Sequence, residues 1–505
     1  MGEGIPNISQ LSDLPRGADL YFIGIGGISM CGLAEMAKHL GYHIAGSDRQ
    51  ASDHTHHLAA LGVAVNIGHD AANIDRAVPQ LVIHTAAVPA DNPELKRAHE
   101  LGIPVVERAV FLGWITRDFK RVINIAGTHG KTTTTAMCAL ILLAAKADPT
   151  VHLGAELSAF DHSTVRMGKS HDLLISEACE YANSYHHFES TTAVILNIDL
   201  DHMDFFEDAT DLVNSFAIFT DQIRDGGYLI LPHSGRFIPE LVACMIKRRQ
   251  ATGRSLPTIV TYGTEPTGEF DKNRMVDVDF WPDTPTVCYR NLNYDSGIPE
   301  FDIYIDGTFW TSIHLNIPGT HNVANATAAI AATYINGADA ESVGTVLRDF
   351  SGAEGRYTVK GRYLGATVVS DYAHHPAATV ATIEAAKATK PEHIWVVYQP
   401  LTFGRVKLFF EQYVEALLPC EHTLFVEIYS DREATDFGMS SKLIKDEINR
   451  RGGSAEFVPS YEAVVERLSQ LAGSDDIILF LGPEQVRSFA DRLVLEPGGE
   501  PQQSQ

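Results

Sequence analysis

Cysteine is scarce in this chain of 505 residues: Cys31, Cys138, Cys179, Cys244, Cys288 and Cys420 lie far apart, with no C-x-x-C pair. That excludes a disulfide framework and a paired-cysteine zinc site, and the six read as reduced thiols. Positive charge is also in short supply, 39 Lys and Arg against 64 Asp and Glu, for a formal net charge of −25. Such a balance disfavours a nucleic acid or an anionic membrane as the main partner, but leaves room for a local basic pocket that takes a small anion. No apolar run reaches the ~18 residues that would cross a bilayer. The first ten residues have neither the basic start nor the apolar stretch of a secretory leader. These absences predict a cytoplasmic protein with small-molecule ligands. Short repeats are missing too, and the tail from Glu496 to Gln505, rich in Pro, Gly and Gln, reads as disordered.

What is present is ordinary globular material, 45% hydrophobic and 20% charged, in a chain too long for one hydrophobic core. From Asp19 onward apolar strands alternate with helical patterns: Tyr21 to Gly26, Tyr42 to Gly46, Leu81 to Thr85 and Ile103 to Val106 each precede a helical stretch. That rhythm predicts a parallel, doubly wound α/β sheet. Arg121 starts a second such unit, with strands at Asp172 to Glu177, Ala193 to Asn197 and Tyr228 to Leu231. A strand-rich excursion from Val276 to Leu315 and a closing helix from Ala324 to Tyr334 follow. A third alternation has strands at Ala366 to Ser370, Ile394 to Tyr398, Thr423 to Glu427 and Asp476 to Phe480, after a plausible hinge at Phe350 to Ala353. The expectation is an α/β protein of three domains, 1–119, 120–351 and 352–505.

The most informative stretch runs from Arg121 to Thr135, where an apolar strand leads through Gly127-Thr128-His129-Gly130-Lys131-Thr132 into a helix. Gly127 and Gly130 free backbone N–H groups to converge on phosphate oxygens at the positive helix end, Lys131 neutralises charge, and the Thr132 hydroxyl suits Mg²⁺. The loop is shorter than G-x-x-x-x-G-K-[ST], yet its place between strand and apolar helix points to an enzyme that uses ATP or GTP. Glu177 and His202 each end a predicted strand segment, so in a doubly wound sheet they face the same crevice and can reach metal ions beside the nucleotide. Taken singly, each also has a structural reading, as a helix cap or a core histidine.

An earlier turn, Gly24-Ile-Gly26-Gly27-Ile-Ser29-Met30, also follows a strand and opens a helix, with Ser29 in place of the third Rossmann glycine. It suits NAD or FAD, another diphosphate ligand, or merely a tight turn. Asp48 closes the next strand where an acidic group meets a ribose hydroxyl, in a dinucleotide or a UDP-sugar alike. Pro318 to Ala326, with His321, Asn322 and Asn325, begins a helix with polar groups that either cap it or touch adenine or phosphate. Asp371-Tyr372-Ala-His374-His375-Pro376 forms a strand-to-helix turn, and adjacent histidines point apart, so substrate orientation fits better than a metal pair. Arg405, after the next strand, has the planar fork that clamps a carboxylate. His54, His56 and His57 read as solvated residues of a surface helix.

In this order the motifs Gly24 to Met30, Gly46 to Asp48, Gly127 to Thr134, Glu177 to Tyr181, Asn197 to Asp204, Gly319 to Asn325 and Asp371 to Pro376 resemble the Mur ligase family, from about Asp19 to about Arg492. The resemblance is strongest to the members that add L-alanine to UDP-N-acetylmuramate. It implies an N-terminal Rossmann-like domain for the UDP-sugar, a central P-loop-type ATPase and a C-terminal Rossmann-like domain that brings the amino acid. It also implies that the lactyl carboxylate takes the γ-phosphate of ATP and that the alanine amine then displaces phosphate. By the same resemblance Gly24, Gly26, Gly27, Ser29 and Asp48 would hold the UDP-sugar. Gly127, Thr128, His129, Gly130, Lys131, Thr132, Thr133, Asn322, Asn325 and Arg356 would hold ATP. Thr132 and Glu177 would bind one Mg²⁺ and His202 another, with Lys131, Glu177 and His202 as the catalytic set. Tyr372, His374 and Arg405 would surround alanine.

The departures from the family pattern gather in the third domain. Ser370 replaces an Asp, Ala377 and Ala378 replace Thr-Glu, and Leu401, Gly404 and Val406 replace a His, a Ser or Thr, and a Thr around Arg405. Gly482-Pro-Glu-Gln-Val486 stands for Gly-Ala-Gly-Asp-Ile, and a paired arginine at the hinge is reduced to Gly355-Arg356. The alternatives are a related ligase that adds another amino acid or a recycled peptide, and a non-catalytic nucleotide-binding paralogue. Retention of Lys131, Thr132, Glu177 and His202 argues against the last. A nicotinamide dehydrogenase would leave the Gly127 loop without a role.

Overall fold

The structure, a computed structural model, describes residues 9–502 except 162, 203–204, 266–280, 296, 431–432 and 434. The first part of the expected strand excursion, Val276 to Phe280, and the last two residues of the Asn197 to Asp204 motif lie outside the described residues. Two compact units divide the chain: one holds residues up to 199 with 209–287 and 328–342, the other holds 200–208, 288–327 and 343 onward.

In the first unit, β1 (Asp19–Ile23), β2 (His43–Asp48), β3 (Ala64–Ile67), β4 (Leu81–His84) and β5 (Val105–Glu107) form a parallel sheet in the order β3-β2-β1-β4-β5. The order reverses between β1 and β4, which opens a crevice beyond the carboxyl end of β1, where the first Gly-rich turn lies. The second sheet of this unit contains β6 (Arg121–Ala126), β7 (Thr150–Leu157), β8 (Ser163–Arg166), β9 (Leu173–Glu177), β10 (Ser190–Ile195), β11 (Ile223–Pro232) and β12 (Thr258–Thr264). They run β12-β11-β10-β6-β9-β7-β8, parallel except at the β7–β8 edge. Strand β6 is central and covered on both faces, which explains why Val122, Ile123, Ile125 and Ala126 are all fully buried, while Asn124 among them donates to Glu189 O and Ser190 Oγ.

The second unit contains β13 (Val287–Asn293) beside the antiparallel pair β14 (Glu300–Ile305) and β15 (Thr308–His314). It also holds β16 (Thr358–Tyr363), β17 (Ala366–Asp371), β18 (Ile394–Tyr398), β19 (His422–Phe425), β20 (Ala455–Phe457), β21 (Ile477–Leu481) and β22 (Gly499–Pro501). Their order is β20-β19-β18-β21-β17-β16-β22, parallel from β20 to β17 and antiparallel at β16 and β22. Here the reading of the tail is corrected: Gly499 to Pro501 pairs with Gly361 to Tyr363, and Gln502 N–H donates to Lys360 O. Gly361 makes this possible, since a Cβ there would lie 2.1 Å from Glu500 O, and an edge strand tolerates a proline. Among the described residues no helix is long and apolar enough to cross a membrane.

Candidate active site

The loop after β6 is shaped by two glycines in the left-handed region, Gly127 at φ 136° and Gly130 at φ 86°. A Cβ at Gly127 would press within 3.0 to 3.2 Å of Leu196 and the Asn197 backbone, so the loop lies flat on the end of β10. Asn197 holds it from that side: its Oδ1 accepts from His129 N–H at 2.8 Å, and its Nδ2 donates to His129 O at 3.0 Å. Thr128 Oγ1 donates to Asp199 O and accepts from Asp199 N–H. Gly130 is the N-cap of the helix Lys131–Ala144 and offers no side chain, so the first amides of that helix keep their donors for a ligand.

Lys131 lies back across the loop, with Nζ donating to Gly127 O at 2.5 Å and to Glu180 Oε2 at 2.9 Å. Burial opposes its charge, but Glu180, itself 1% exposed, holds the ammonium above its ordinary pKa. Thr132 Oγ1 donates to Glu177 Oε2 at 3.1 Å, and the other carboxylate oxygen accepts from Gly154 N–H at 2.6 Å. A Cβ at 154 would sit 2.9 Å from Glu177, so a side chain there would displace the carboxylate from this position. Lys131, Thr132 and Glu177 are thus together, around one helix N-terminus, on adjacent central strands. Thr133 follows them, buried, in the first turn. Glu180 and Asn197 lie within the sequence motifs Glu177 to Tyr181 and Asn197 to Asp204 without a role legible there; the three-residue step from Glu177 to Glu180 is the available signal.

The first Gly-rich turn is equally tight. Gly24, at φ 80°, donates to Ser47 O, Gly26 N–H donates to Asp48 Oδ2 at 2.8 Å, and Gly27 caps the helix Ile28–His39 with no side chain. Asp48 therefore braces the turn itself. Arg108, missed from sequence, donates through Nη1 to Ser29 Oγ at 2.9 Å, and burial lowers its pKa. Gly32 lets this helix approach β7 and β8, bringing it near His152, which is 3% exposed. The Cys179 thiol feels the charges of both Lys131 and Arg108, so the two Gly-rich turns share one neighbourhood. The solvated reading of the histidines is corrected at His54, whose Nδ1 lies 3.0 Å from Gly26 O and whose Nε2 lies 3.6 Å from Glu156. Glu156 comes from β7, so no local pattern announced it.

His152 carries a consequence for stability. Burial, aided by Arg108 and opposed only by the Ser29 backbone, pushes its pKa down from 6.5 to about 4. The folded chain thus keeps it neutral while the unfolded chain takes up a proton below pH 6.5, so stability is lost as pH falls from 6.5 toward 4. At pH 5 this one group should cost about 2 kcal/mol. Urea unfolding at pH 7 and pH 5 checks it: His152→Leu should lose less stability between the two than the unchanged chain, and equal losses would refute the assignment.

The second unit presents a separate group. His202 sits at φ 55°, a left-handed conformation uncommon for a non-glycine residue, with its N–H donating to Asp201 Oδ1 at 2.7 Å. Asp201 in turn accepts from Arg405 Nε at 3.1 Å and Nη2 at 2.9 Å, with both residues buried. Burial would raise the carboxyl pKa, but Arg405 reverses this and holds it well below the carboxylate range. The Arg405 fork is therefore engaged by Asp201 and is not open to a ligand. His374 is kept neutral by burial, then by Arg405, and its carbonyl accepts from Tyr398 and Tyr413 hydroxyls at 3.3 and 2.8 Å. The Arg356 guanidinium carbon lies 5.0 Å from the centre of the Tyr372 ring. Asn322 and Asn325 are buried at the start of the helix Thr320–Ile335, where Asn322 Nδ2 donates to Pro318 O and Asn325 Nδ2 to Asn322 Oδ1.

Comparison with known proteins gives a consistent result. Residues 19–120 match the model of the "Mur ligase family, catalytic domain", 125–333 the "Mur ligase middle domain" and 355–483 the "Mur ligase, glutamate ligase domain". The chain is 38% identical to a UDP-N-acetylmuramate--L-alanine ligase of Agathobacter rectalis over 95% of this chain and 99% of that protein. It is 36% identical to the ligase of the same name from Acetivibrio thermocellus, covering 94% and 95%. Among solved structures, the UDP-N-acetylmuramate-alanine ligase of Thermotoga maritima superposes with a TM-score of 0.76 at 25% identity, covering 95% of this chain and 98% of that one.

Proposed function

The chain belongs to the Mur ligase family, and from that premise we propose that it joins L-alanine to UDP-N-acetylmuramate with cleavage of ATP, a cytoplasmic step in building peptidoglycan precursor for the cell wall. The observation that carries the reading is the convergence of Lys131, Thr132 and Glu177 on the open amides that follow β6. We divide the labour as 1–119 for the UDP-sugar, 120–351 for ATP and 352–505 for the amino acid, a division supported by the spans of the three family models.

A carboxylate does not acylate an amine until one oxygen becomes a good leaving group, so the reaction needs a phosphoryl transfer first and an amide-forming displacement second. The residues from Gly127 to Thr133 cradle the phosphates of ATP by backbone N–H groups, and Lys131 offsets the charge that spreads over the transferring group. Glu180 fixes the Lys131 ammonium in one place. The turn of Gly24, Gly26, Gly27 and Ser29, braced by Asp48, receives the diphosphate of the UDP-sugar, with Arg108 bonded to Ser29 as its cation. Cys179 lies within the fields of both Arg108 and Lys131, and this nearness of the two turns supports a sugar nucleotide whose carboxylate reaches the phosphate loop. We assign Asn322, Asn325 and Arg356 to the nucleotide and Tyr372 and His374 to alanine, with Arg405 acting indirectly by holding the Asp201–His202 segment.

Thr132 and Glu177 offer hard oxygen donors 3.1 Å apart, a set that fits Mg²⁺, and His202 beside Asp201 is the second candidate ligand. Bound there, Mg²⁺ would neutralise charge on the phosphates. Glu177→Gln and His202→Ala should each shift the magnesium dependence of turnover to higher concentration, with partial recovery as Mg²⁺ is raised. Magnesium titrations that match the unchanged chain in both variants would remove these residues from the metal site. The reading as a whole is tested by phosphate release with ATP, Mg²⁺ and UDP-N-acetylmuramate against a panel of amino acids: L-alanine should give the highest kcat/KM, and no sugar-dependent release with any amino acid would overturn it.

A further inference from the structure

The second unit contains a guanidinium for which the reaction so far has no use. Gly355 stands at φ 69°, and its carbonyl accepts from Tyr372 N–H at 2.9 Å. The space a side chain at 355 would enter is filled from elsewhere: a Cβ there would lie 1.8 Å from Arg487 Nη1 and 2.8 Å from its Cζ. Arg487 belongs to the helix Glu484–Leu493, which follows β21, and its Cζ lies 5.4 Å from the centre of the Tyr372 ring. With Arg356 at 5.0 Å, that ring carries two guanidinium groups from two different elements.

The neighbouring cations differ in what holds their charge. Arg405 is bonded to Asp201, and Arg356 acts on the buried carboxyl of Asp371. Arg487 makes no ion pair with a carboxylate among the described residues, and its Nε is buried without a hydrogen-bond partner. An unmatched buried N–H on a planar fork is costly unless a ligand satisfies it, and the ligand that satisfies two parallel guanidinium donors is a carboxylate or a phosphate. Tyr372 and His374 border the amino-acid pocket under the proposed function, on which this inference rests, and the Arg405 fork that would have served there is engaged.

We propose that Arg487, from the helix Glu484–Leu493, is the residue that holds the carboxylate of the incoming amino acid. Its contact is with the α-carboxylate alone, so it selects amino acids over amines and amides and orients the amine toward the activated sugar carboxylate.

The test uses the full chain, Arg487→Gln and Arg487→Lys, with phosphate release measured while ATP, UDP-N-acetylmuramate and L-alanine are varied in turn, and with L-alaninamide replacing alanine. Arg487→Gln should raise the KM for L-alanine at least tenfold and leave the other two KM values within about twofold. Arg487→Lys should recover part of that loss. The unchanged chain should prefer L-alanine to L-alaninamide strongly, and Arg487→Gln should erase the preference. A rise in the KM for ATP instead would mean that the guanidinium serves a phosphate and would overturn the proposal. So would equal changes in all three KM values, or an amide discrimination that survives the substitution. Should Arg487→Gln not fold, the Arg487→Lys variant and the alaninamide comparison decide alone: undiminished discrimination in Arg487→Lys, or a full-strength reaction of L-alaninamide in the unchanged chain, refutes the clamp. An unchanged chain that releases no phosphate with any amino acid sinks the ligase reading, and this proposal with it, whereas an active chain indifferent to Arg487→Gln sinks this proposal alone.

Discussion

Replacing Lys131 by Ala should reduce phosphoryl transfer by a factor of 10² to 10³ or more, the loss of about 3–4 kcal/mol expected when a preorganised charge is taken from a transition state. The same substitution has a second effect that the Glu180 contact makes visible. Glu180 is 1% exposed and gives both carboxylate oxygens to Lys131 Nζ, at 2.9 and 3.2 Å. Without the ammonium it becomes an uncompensated buried charge, and removing one partner of such a pair typically costs about 3–5 kcal/mol of stability. Lost activity in Lys131→Ala alone could therefore reflect a damaged fold. The double variant Lys131→Ala with Glu180→Gln separates the two: it should regain most of the thermal stability and none of the phosphate release. Calorimetric titration with UDP-N-acetylmuramate should show near-normal binding in the double variant, because that ligand is assigned to the other Gly-rich turn. Normal ATP cleavage by either variant would remove Lys131 from the catalytic set.

The sequence revealed the fold where its signal was local and strong. Strands β1, β6, β10, β17, β18 and β21 are apolar runs with helices behind them, and each lies where the alternation of patterns puts it. Strand β3, Ala-Val-Asn-Ile, is too short and too exposed to stand out, and β16 carries Lys360 and Arg362 in a segment that looks like a loop. Strand β22 exists only because β16 lends it an edge, so composition alone made it a disordered tail. The site divides in the same way. The Gly127 to Thr132 loop is legible because its parts are contiguous and each has a backbone or phosphate-binding reason to be the residue it is. The pairing of Lys131 with Glu180 joins residues 49 apart, and that of Asp201 with Arg405 joins residues 204 apart. Nothing in a single chain announces which carboxylate meets which cation over such separations. Arg405 illustrates the consequence: the right residue type for a carboxylate clamp was recognised, while the carboxylate it meets in the fold is one of the protein's own.

That pair is the second place where a large effect is expected. Arg405 and Asp201 are 8% and 6% exposed, and two N–H groups of the guanidinium converge on one carboxylate oxygen. Arg405→Ala should destabilise the chain by about 3–5 kcal/mol, because it strands the Asp201 charge in a buried setting. Asp201→Leu combined with Arg405→Leu should be far less damaging than the sum of the single changes, since a buried ion pair replaced by apolar side chains often leaves stability little altered. The sign of the pH dependence follows from Asp201: its pKa is lowered in the folded state, so the stabilisation is complete above the ordinary carboxylate range and is lost on acidification through that range toward the lowered value. Arg405→Lys keeps the charge but not the second parallel donor, and should fall between the unchanged chain and Arg405→Ala. Urea unfolding of the two single variants, the double variant and the unchanged chain, at pH 7 and at pH 3, measures both the coupling and its titration. Additive losses at pH 7 would show that the pair does not act as a unit. A variant Arg405→Lys with unaltered stability and a raised KM for alanine alone would instead return Arg405 to the role of a substrate clamp, opened from Asp201 when the amino acid binds.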